Sequence, residues 1–428
     1  MKFDDLKTKY DISDVELFNQ SHSSHKIIFQ ANKLKQIESN HINGYSIRTI
    51  KNKKIGSASC YGELNLESLC EKAISNSAFS DTVSITLPEK INLNENDSLL
   101  NKDLTRDFIN QGKEIIDEIN KKHSDILIDI SFDLTTLQES TENSSSLQYS
   151  YSSNLYSFSA SLRETKENNF VEIFTAVVES EIPDIKSYIN DSIKYYELSK
   201  KSAKARNGCF PVLFTSKAVK ELIEIIELAL NGKQVNQKSS PWFDSLGKNV
   251  LSKNLTIKQD PSFGYMKRSI DHEGVEIKPL ILINKGVLEN FYFDLLSASK
   301  HSKAQQSSGN GFRNCLNSHI EPALLNLIIE PGNNSMDKII KNINYGILVD
   351  QTMGGLSTNI SGDISVNVDL GFLIENGEII GRVKDTMVSG NIYKAFNNVI
   401  ELSNDLKQHW SNIYCPDILF DGFTVTSG

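Results

Sequence analysis

The sequence predicts an α+β protein built from two domains. Several stretches place apolar residues at every second position between turn-forming Gly, Asn and Pro residues, which is typical of half-buried strands. Fewer stretches place apolar residues three and four positions apart, which is typical of amphipathic helices. A helix stop at Asn207-Gly208 divides the chain into an N-terminal domain, 1–207, and a C-terminal domain, 208–428. We expect a mixed sheet with helices in the first domain and a β-rich, antiparallel second domain.

The N-terminal domain is expected to open with an antiparallel meander. Strands at 26–29, 44–50 and 55–58 are separated by polar turns, and a helix over Leu66–Ala78 follows them. A long amphipathic helix is predicted over Leu104–Lys122, where the apolar residues form one stripe. The remaining predicted elements are strands near 126–137, 146–163 and 170–178 and a helix over 186–206.

The C-terminal domain is expected to begin with a strand at 211–215 that leads into a helix over Lys217–Leu230. Apolar residues occupy one face of this helix, and Asn231-Gly232 ends it. Asn376-Gly377 lies between two apolar runs and predicts a two-residue hairpin, because both residues tolerate positive φ. The remaining predicted elements are a strand over 274–277, a hairpin at 284–286, a helix over 336–344, a strand over 364–370, a helix over 392–406 and a strand over 418–425.

The composition argues against several functional classes. A net charge of −9 over 428 residues argues against a general nucleic-acid or anionic-membrane surface. No segment approaches 18 uninterrupted apolar residues, and the first residues lack the apolar stretch of a signal peptide. The five cysteines form no C-x-x-C pair, which fits reduced thiols better than a disulfide framework. We therefore expect a soluble cytoplasmic protein with neither nucleic acid nor membrane as a partner.

Five short motifs occur in an order that resembles the TldD/PmbA family. Each motif is weak alone, but their order and spacing together are specific, and the β-β-β-α beginning resembles the same family's N-terminal domain. The resemblance implies a two-domain fold and an intracellular zinc-peptidase subunit. In chain order the motifs are Asp271-His272-Glu273-Gly274, Met353-Gly354-Gly355, Ser361-Gly362-Asp363, Gly371-Phe372-Leu373-Ile374-Glu375-Asn376-Gly377 and Val388-Ser389-Gly390-Asn391-Ile392.

The zinc-binding motif of TldD-type members is absent from this sequence. In those members H-E-x-x-x-H lies on the helix that follows a strand like 211–215. The two histidine positions fall near Glu224 and Ala229 here, and the glutamate position falls near Ile225. An alanine cannot bind a metal, and an isoleucine cannot take a proton from water. The resemblance therefore implies a PmbA/TldE-type chain with no catalytic residues and no metal of its own, and zinc in a TldD-type partner.

Three glutamates of the same helix are candidate metal ligands. Glu221, Glu224 and Glu227 are spaced at i, i+3 and i+6 and could hold a hard cation. Glutamates at this spacing are far more often the solvated face of an amphipathic helix, and no histidine accompanies them. We favour the solvated face.

The histidines have simpler interpretations than metal binding. His272-Glu273 would begin an H-E-x-x-H motif, but Glu276 stands at the second histidine position and the segment has the pattern of a strand. His301 and His319 are single histidines in a polar loop region, and we expect them at the surface.

Two cysteines are candidates for a functional role. Zinc-binding relatives take a third ligand from a C-terminal cysteine, and Cys415 lies in a roughly corresponding region. Without its histidine partners Cys415 is most simply a small apolar residue. Cys315 could be drawn into a Cys-His-Asn triad with His319, but no feature of the sequence activates its thiol.

The glycine-rich motifs are the candidate peptide-binding site. Gly354, Gly355, Ser361, Gly362 and Asp363 could let a peptide backbone approach closely and pair with an exposed strand edge. Tight turns between strands explain the same residues about equally well.

The favoured function is that of a subunit without its own metal site in a TldD/TldE-type zinc metallopeptidase that acts on unfolded peptides or peptide precursors. It would form a heterodimer with a zinc-bearing TldD-type chain. Two alternatives stay open: a metal-free peptide-binding homodimer that acts as a scaffold, and an autonomous hydrolase with an unrecognised site. Whether the chain has activity of its own is open at this point.

Overall fold

The computed structural model describes residues 3–89, 92–96, 104–166, 169–302, 305–354, 359–409 and 411–428. It combines helices with extensive β-sheet, which confirms the α+β class. The first half contains, in chain order, α1 (Phe3–Tyr10), β1 (Asp14–Gln30), β2 (Lys33–Lys51), β3 (Lys54–Tyr61), α2 (Leu66–Asn76), a 3-10 turn (Ser77–Phe79), β4 (Asn92–Asn96), α3 (Thr105–Lys122), β5 (Leu127–Asn143), β6 (Gln148–Lys166), β7 (Asn169–Glu179) and α4 (Ile185–Ser199).

The second half begins where the chain leaves α4. It contains, in chain order, β8 (Ser202–Ala203), β9 (Gly208–Cys209), β10 (Val212–Phe214), α5 (Ser216–Leu230), α6 (Gly232–Asn236), β11 (Ile257–Gln259), β12 (Leu280–Asn284), β13 (Val287–Leu288), α7 (Leu295–Lys300), β14 (Gly311–Phe312), β15 (Glu321–Pro322), β16 (Leu327–Ile329), α8 (Met336–Lys341), β17 (Tyr345–Met353), β18 (Asp363–Glu375), β19 (Glu378–Val383), β20 (Thr386–Asn391), α9 (Ile392–Asn397), β21 (Val399–Leu402), β22 (Lys407–Gln408), β23 (Ile413–Cys415), β24 (Ile418–Phe420) and β25 (Thr424–Ser427).

The N-terminal half is organised around a seven-stranded sheet. Its strand order is β3-β2-β1-β5-β6, and both β4 and β7 pair with β6. The predicted meander is confirmed, although β1 and β2 are long strands of 17 and 19 residues. The sheet is mixed, because β4 runs parallel to β6 while β1 and β5 are antiparallel. Helix α3 buries Phe108, Ile115 and Ile119 in the core that covers this sheet.

A ten-stranded sheet, a six-stranded sheet and helix α5 form most of the C-terminal half. The ten-stranded sheet follows the order β21-β24-β10-β17-β18-β20-β25-β9, and β19 pairs with β18 and with β8. The six-stranded sheet follows the order β13-β12-β11-β16-β23-β22. Most pairs are antiparallel, but β10 is parallel to β17, β19 is parallel to β8, and β16 is parallel to β23. Helix α5 contributes nine buried residues, and most of them pack in one core with residues of both sheets.

The strand and hairpin around residue 376 have the geometry that the sequence predicted. Over residues 363–368 of β18 the side chains alternate between exposed and buried, and Ile364, Val366 and Val368 are buried. Asn376 and Gly377 adopt φ of 50° and 81°, as a two-residue turn between antiparallel strands requires. The register of β18 is therefore set by both its apolar face and its turn.

Several predicted elements are shorter or interrupted in the structure. The helix predicted over 392–406 ends at Asn397, where the N–H of Asn398 closes the last turn and the chain continues as β21. The strand predicted over 418–425 is divided into β24 and β25, because Gly422 adopts φ of +97° between them. The helix predicted over 186–206 ends at Ser199, and β8 then pairs with β19.

The strand predicted over 274–277 is wrong, because this stretch is a loop. Asp271 accepts hydrogen bonds from the backbone N–H groups of Glu273 and Val275, which bends the chain back on itself. Gly274 lies in this bend at φ of +85°. Only an isolated bridge between Ile270 and Glu276 remains of the extended pairing.

The two halves share a hydrophobic core. Residues of the N-terminal sheet such as Phe132 and Phe158 belong to the same buried cluster as Leu348 and Phe372 of the C-terminal sheet. The boundary between residues 207 and 208 stays a prediction. Within the described ranges, no helix is long and apolar enough to cross a membrane.

Candidate functional site

Helix α5 holds apolar core residues at two of the positions that the resemblance assigns to the H-E-x-x-x-H motif. Ile225 and Ala229 are both fully buried and belong to the main core of the C-terminal half. Neither side chain has an atom that could bind a metal or accept a proton. Ala229 therefore cannot bind a zinc ion, and Ile225 cannot take a proton from water.

The glutamates of α5 are engaged separately rather than as one cluster. Glu221 accepts a hydrogen bond of 2.6 Å from the Thr352 hydroxyl. Burial and the charge of Glu224 raise the pKa of Glu227 to about 7. In the part of the chain that the structure describes, no three His, Cys, Asp or Glu side chains are grouped to hold a metal ion.

The two candidate cysteines are in contrasting environments. Cys415 is buried, its thiol donates to the carbonyl oxygen of Ser216 at 3.3 Å, and burial together with the Asp417 charge raises the pKa of the thiol. A thiol held neutral in this way is a poor nucleophile and a poor metal ligand near neutral pH. Cys315 is exposed and donates to Asn317 at 2.9 Å.

The histidines differ in exposure. His319 is exposed, as predicted, while His301 is half-buried and contacts Asn236 through Nδ1 at 2.8 Å. His272 is buried: its Nδ1 accepts from the backbone N–H of Arg313 at 3.0 Å, and its Nε2 lies 3.3 Å from Glu139. Burial lowers the pKa of His272. The hydrogen bonds of His272 therefore stabilise the loop that contains this residue.

The Asp271-to-Gly274 motif lies in a buried network of charges between the two halves. Glu273 accepts from Arg48 of β2 at 2.5 Å and from the backbone N–H of Leu295 at 2.7 Å. Arg48 also donates to Glu16 of β1 at 2.6 Å, and Arg313 donates to the other oxygen of Glu16 at 2.8 Å. The motif thus joins strands of the N-terminal sheet to loops of the C-terminal half.

A second ion pair extends this network. Arg268 of the C-terminal half donates to Glu139 of β5 at 2.5 Å, and both side chains are buried. Although burial alone would raise the pKa of Glu139, the charges of Arg268 and His272 hold it below its usual range. The charged residues of this network are visible in the sequence, but the arginines that pair with Glu273 and Glu139 lie more than a hundred positions away in the chain.

The glycine-rich motifs form turns in the structure. Gly362 adopts φ of +79°, its N–H donates to Asn359 and its carbonyl accepts from Ile392. The Asp363 carboxylate accepts from Asn391 at 2.9 Å, and Gly354 has φ of +84° at the end of β17. Gly355 lies outside the described residues. Ser361, Gly362, Asp363 and Gly354 do not line the two clefts described next, and their peptide-binding role stays a prediction.

Two connected clefts lie beside the N-terminus of α5. The first has a volume of about 750 Å³ and the second about 500 Å³. Both are lined by Phe174, Lys217, Asp350 and His409. Because β7 and α4 form one side of the first cleft and residues 405–409 another, it opens between the two halves.

Ser216 and His409 form a polar pair in the first cleft. Ser216 Oγ lies 3.0 Å from His409 Nε2, and the N–H of Ser216 donates to Asp417 at 2.8 Å. Burial and the charges of Lys217 and Lys407 lower the pKa of His409 to about 3. Such an imidazole is too weak a base to take a proton from serine near neutral pH, so the pair stabilises the start of α5. No sequence motif pointed to either residue.

The comparisons with known proteins agree with this fold. Residues 207–427 match the PmbA/TldA metallopeptidase C-terminal domain, and residues 15–77 match the PmbA/TldA metallopeptidase domain 1. The structure is similar to that of TldE from Thermococcus kodakarensis, with a TM-score of 0.90 and 20% identity over 99% of this chain and 100% of that one. It is also similar to a putative modulator of a DNA gyrase from Thermotoga maritima, with a TM-score of 0.86, 20% identity and coverage of 99% and 98%.

Curated relatives carry the same family names. The chain is 26% identical over 265 residues to a metalloprotease PmbA homolog of Buchnera aphidicola subsp. Baizongia pistaciae, covering 60% of this chain and 56% of the relative. It is 29% identical over 211 residues to the metalloprotease PmbA of Escherichia coli O157:H7, covering 49% and 44%. The matched stretch thus spans about half the length of these relatives. The match of residues 207–427, together with the match of residues 15–77, shows that the chain belongs to the TldD/PmbA family of metallopeptidase-related proteins.

Proposed function

We propose that this chain is the non-catalytic subunit of a TldD/TldE-type zinc metallopeptidase that acts on unfolded peptides or peptide precursors in the cytoplasm. One observation carries the proposal: Ala229 and Ile225 fill the core at the positions of α5 where the resemblance to TldD-type members places the second zinc-binding histidine and the catalytic glutamate. Zinc would be supplied by a TldD-type partner, which would also provide the glutamate that activates water.

The same observation is also compatible with the scaffold alternative. A chain with an apolar α5 could bind peptides as a homodimer and never meet a zinc-bearing partner. The names of the relatives, which are metalloproteases, favour a role within a peptidase over a separate carrier role.

The autonomous hydrolase alternative is weakened by the chemistry of its candidate residues. The raised pKa of the Cys415 thiol keeps it protonated, and the pKa of His409 near 3 prevents it from activating Ser216. The exposed Cys315 donates to Asn317 rather than to a base. Among the described residues, each of these three nucleophiles thus lacks a base that could activate it.

The test measures cleavage of an unfolded peptide by this chain, by a TldD-type partner and by their mixture, each with and without a chelator. We expect cleavage only when the partner is present, and loss of that cleavage with chelator. An increase in cleavage on adding this chain to the partner would establish the subunit role. Chelator-resistant cleavage by this chain alone would contradict the proposal, and a partner whose activity and size are unchanged by this chain would favour the scaffold.

A further inference from the structure

The first cleft has an excess of negative charge. Seven carboxylate residues but only three lysines line it. Two of those lysines are already paired: Lys217 lies 2.5 Å from Asp350, and Lys407 lies 3.6 Å from Asp191 and 3.3 Å from Asp405. The remaining carboxylates therefore leave the cleft with a negative potential that favours cationic ligands.

Three of the carboxylates lie on one segment, Glu179–Asp184, which connects β7 to α4 and is called the acidic wall below. The side chains of Glu181 and Asp184 are exposed. Within the described ranges, none of the ion pairs involves Glu179, Glu181 or Asp184. Burial and the charge of Glu181 raise the pKa of Glu179 by more than the charge of Lys267 lowers it, as expected where carboxylates lie together.

Apolar side chains face the same cleft. Phe174, Ile182 and Phe263 are 40%, 53% and 38% exposed, and all three line the first cleft. Large apolar side chains that remain exposed within a concave surface are typical of binding sites, because a ligand gains free energy by covering them. The cleft therefore offers apolar contact as well as negative charge.

The backbone edge of β7 is already occupied by side chains. Gln351 accepts from the N–H of Phe174 at 2.8 Å and donates to the carbonyl of Glu172 at 3.0 Å, and Lys217 donates to the carbonyl of Phe174 at 2.8 Å. These side chains take the place of a neighbouring strand, so a peptide cannot simply extend the sheet there. Along this edge, recognition must therefore come from side chains of the ligand.

One buried donor or acceptor in the cleft is left without a protein partner. His409 lines both clefts, its Nε2 contacts Ser216, and its Nδ1 has no hydrogen-bond partner in the part of the chain that the structure describes. Buried polar atoms without partners are rare and point to a water or ligand atom. A peptide carbonyl or amide in the cleft would supply that atom.

We propose that the first cleft binds an extended peptide segment that is rich in lysine or arginine, with its cationic side chains against the acidic wall and its apolar side chains against Phe174, Ile182 and Phe263. Complementary charge selects the ligand, and the apolar contacts hold it. This inference rests on the proposed function, because it names the class of peptide that the subunit selects.

The test uses the full chain without any partner and two fluorescently labelled, unstructured peptides of equal length, one lysine-rich and one glutamate-rich. Fluorescence anisotropy measures their binding. We expect the chain to bind the lysine-rich peptide at least tenfold more tightly, and added salt to weaken that binding because exposed charges are screened. Equal affinity for both peptides, or no binding of either, would overturn the inference.

The double variant Glu181→Gln/Asp184→Asn tests the acidic wall itself. We expect it to bind the lysine-rich peptide about fivefold more weakly, since each exposed charge pair contributes modestly. The matched control is Glu375→Gln/Glu378→Gln, which removes the same charge from the β18–β19 hairpin, outside both clefts. Equal weakening by the two variants would show that only net charge matters and would overturn the assignment to this cleft.

The variant Ile182→Ser tests the apolar contacts independently of charge. We expect weaker binding of the lysine-rich peptide with an unchanged salt dependence, because the substitution removes apolar area and leaves the acidic wall intact. An unchanged affinity would contradict the apolar part of the site. If the chain binds the lysine-rich peptide but never supports partner-dependent cleavage, the proposed function is contradicted and this inference stands. If it supports cleavage but binds both peptides equally, this inference is contradicted and the proposed function stands.

Discussion

Arg48 connects two carboxylates of different halves and is itself almost fully buried. Its loss would leave Glu273 without its arginine partner in a region that water does not reach. An unpaired buried charge costs much more than the pair contributes, because its desolvation is no longer offset. At the scale of single residues, the most consequential side chains of this protein are therefore those of the buried network.

We predict that Arg48→Met lowers the free energy of unfolding by about 3–5 kcal/mol, as expected for breaking a buried ion pair. Urea denaturation followed by circular dichroism measures it. The control is Lys258→Met, which breaks the exposed pair between Lys258 and Glu330 at 2.7 Å and should cost about 1 kcal/mol or less. Equal losses for the two variants would show that the network adds no special stability.

We predict that acid weakens the contribution of Glu139 to the stability of the fold. The pKa of Glu139 is lower in the folded protein than its unfolded value of 4.5, so its ionised form stabilises the fold above that pH. That contribution is lost as the pH falls through 4.5 toward the lower pKa of the folded protein. The difference in unfolding free energy between wild type and Glu139→Gln should be constant near neutral pH and shrink in acid.

Denaturant titrations at a series of pH values measure this difference. Glu276→Gln is the control, because Glu276 is exposed and its contact with Lys278 at 3.4 Å is solvated. A Glu139→Gln difference that stays constant through the acid range would mean that Glu139 keeps the same pKa in both states.

At the scale of elements, the hairpin between β18 and β19 depends on backbone conformation. Gly377 has φ of +81°, and a Cβ placed there would lie 2.7 Å from the carbonyl oxygen of Lys341. Gly62 has a similar φ of +84°, but a Cβ there would meet nothing within 4 Å. Comparing alanine variants at these two glycines therefore separates the cost of the backbone conformation from the cost of a steric clash.

We predict that Gly62→Ala costs about 1 kcal/mol, the usual cost of a left-handed alanine, and that Gly377→Ala costs more because α8 must also move. Thermal unfolding measures both. Equal shifts in Tm would show that the end of α8 yields freely and that only the backbone conformation matters.

At the scale of the whole molecule, the two halves are joined by a shared core and by the buried network. Phe132 and Phe158 pack in the same cluster as Leu348 and Phe372, and Arg48, Glu273 and Glu16 cross the same junction. Neither half can therefore open without exposing apolar surface and unpaired charge of the other.

We predict that the protein unfolds in a single calorimetric transition and that Arg48→Met lowers the Tm of that one transition. Cooperative unfolding follows when the interface between two halves resembles a core. Two resolved transitions in the wild type, or a variant that splits one transition into two, would show that the halves are independent units.

The local elements were predictable because their signals lie within a few residues. The face of α5 and the turn at Asn376-Gly377 follow from apolar spacing and from residues that tolerate positive φ. The ends of elements were less predictable: the chain leaves the helix after Asn397 because β21 then pairs with β24, which a local pattern cannot show. The loop at 274–277 has a local cause instead, because Asp271 accepts hydrogen bonds from the N–H groups of Glu273 and Val275.

For the candidate site, too, the sequence shows which residue types are present but not which residues lie together. The sequence alone shows that α5 carries no H-E-x-x-x-H motif, because that motif is defined by residue types at fixed spacing. It could not show that the Asp271-to-Gly274 motif binds Arg48, or that Glu181, Lys217 and His409 line one cleft, since these residues are far apart in the chain.

What the sequence by itself determined is the α+β class, the absence of an H-E-x-x-x-H motif from α5 and the hairpin at residue 376, all of which depend on short-range spacing and side-chain chemistry. The tertiary structure alone decided which charges are buried together and where the clefts open. Burial and pairing are properties of distant segments brought into contact, and they set the stability of the network and the charge of the cleft.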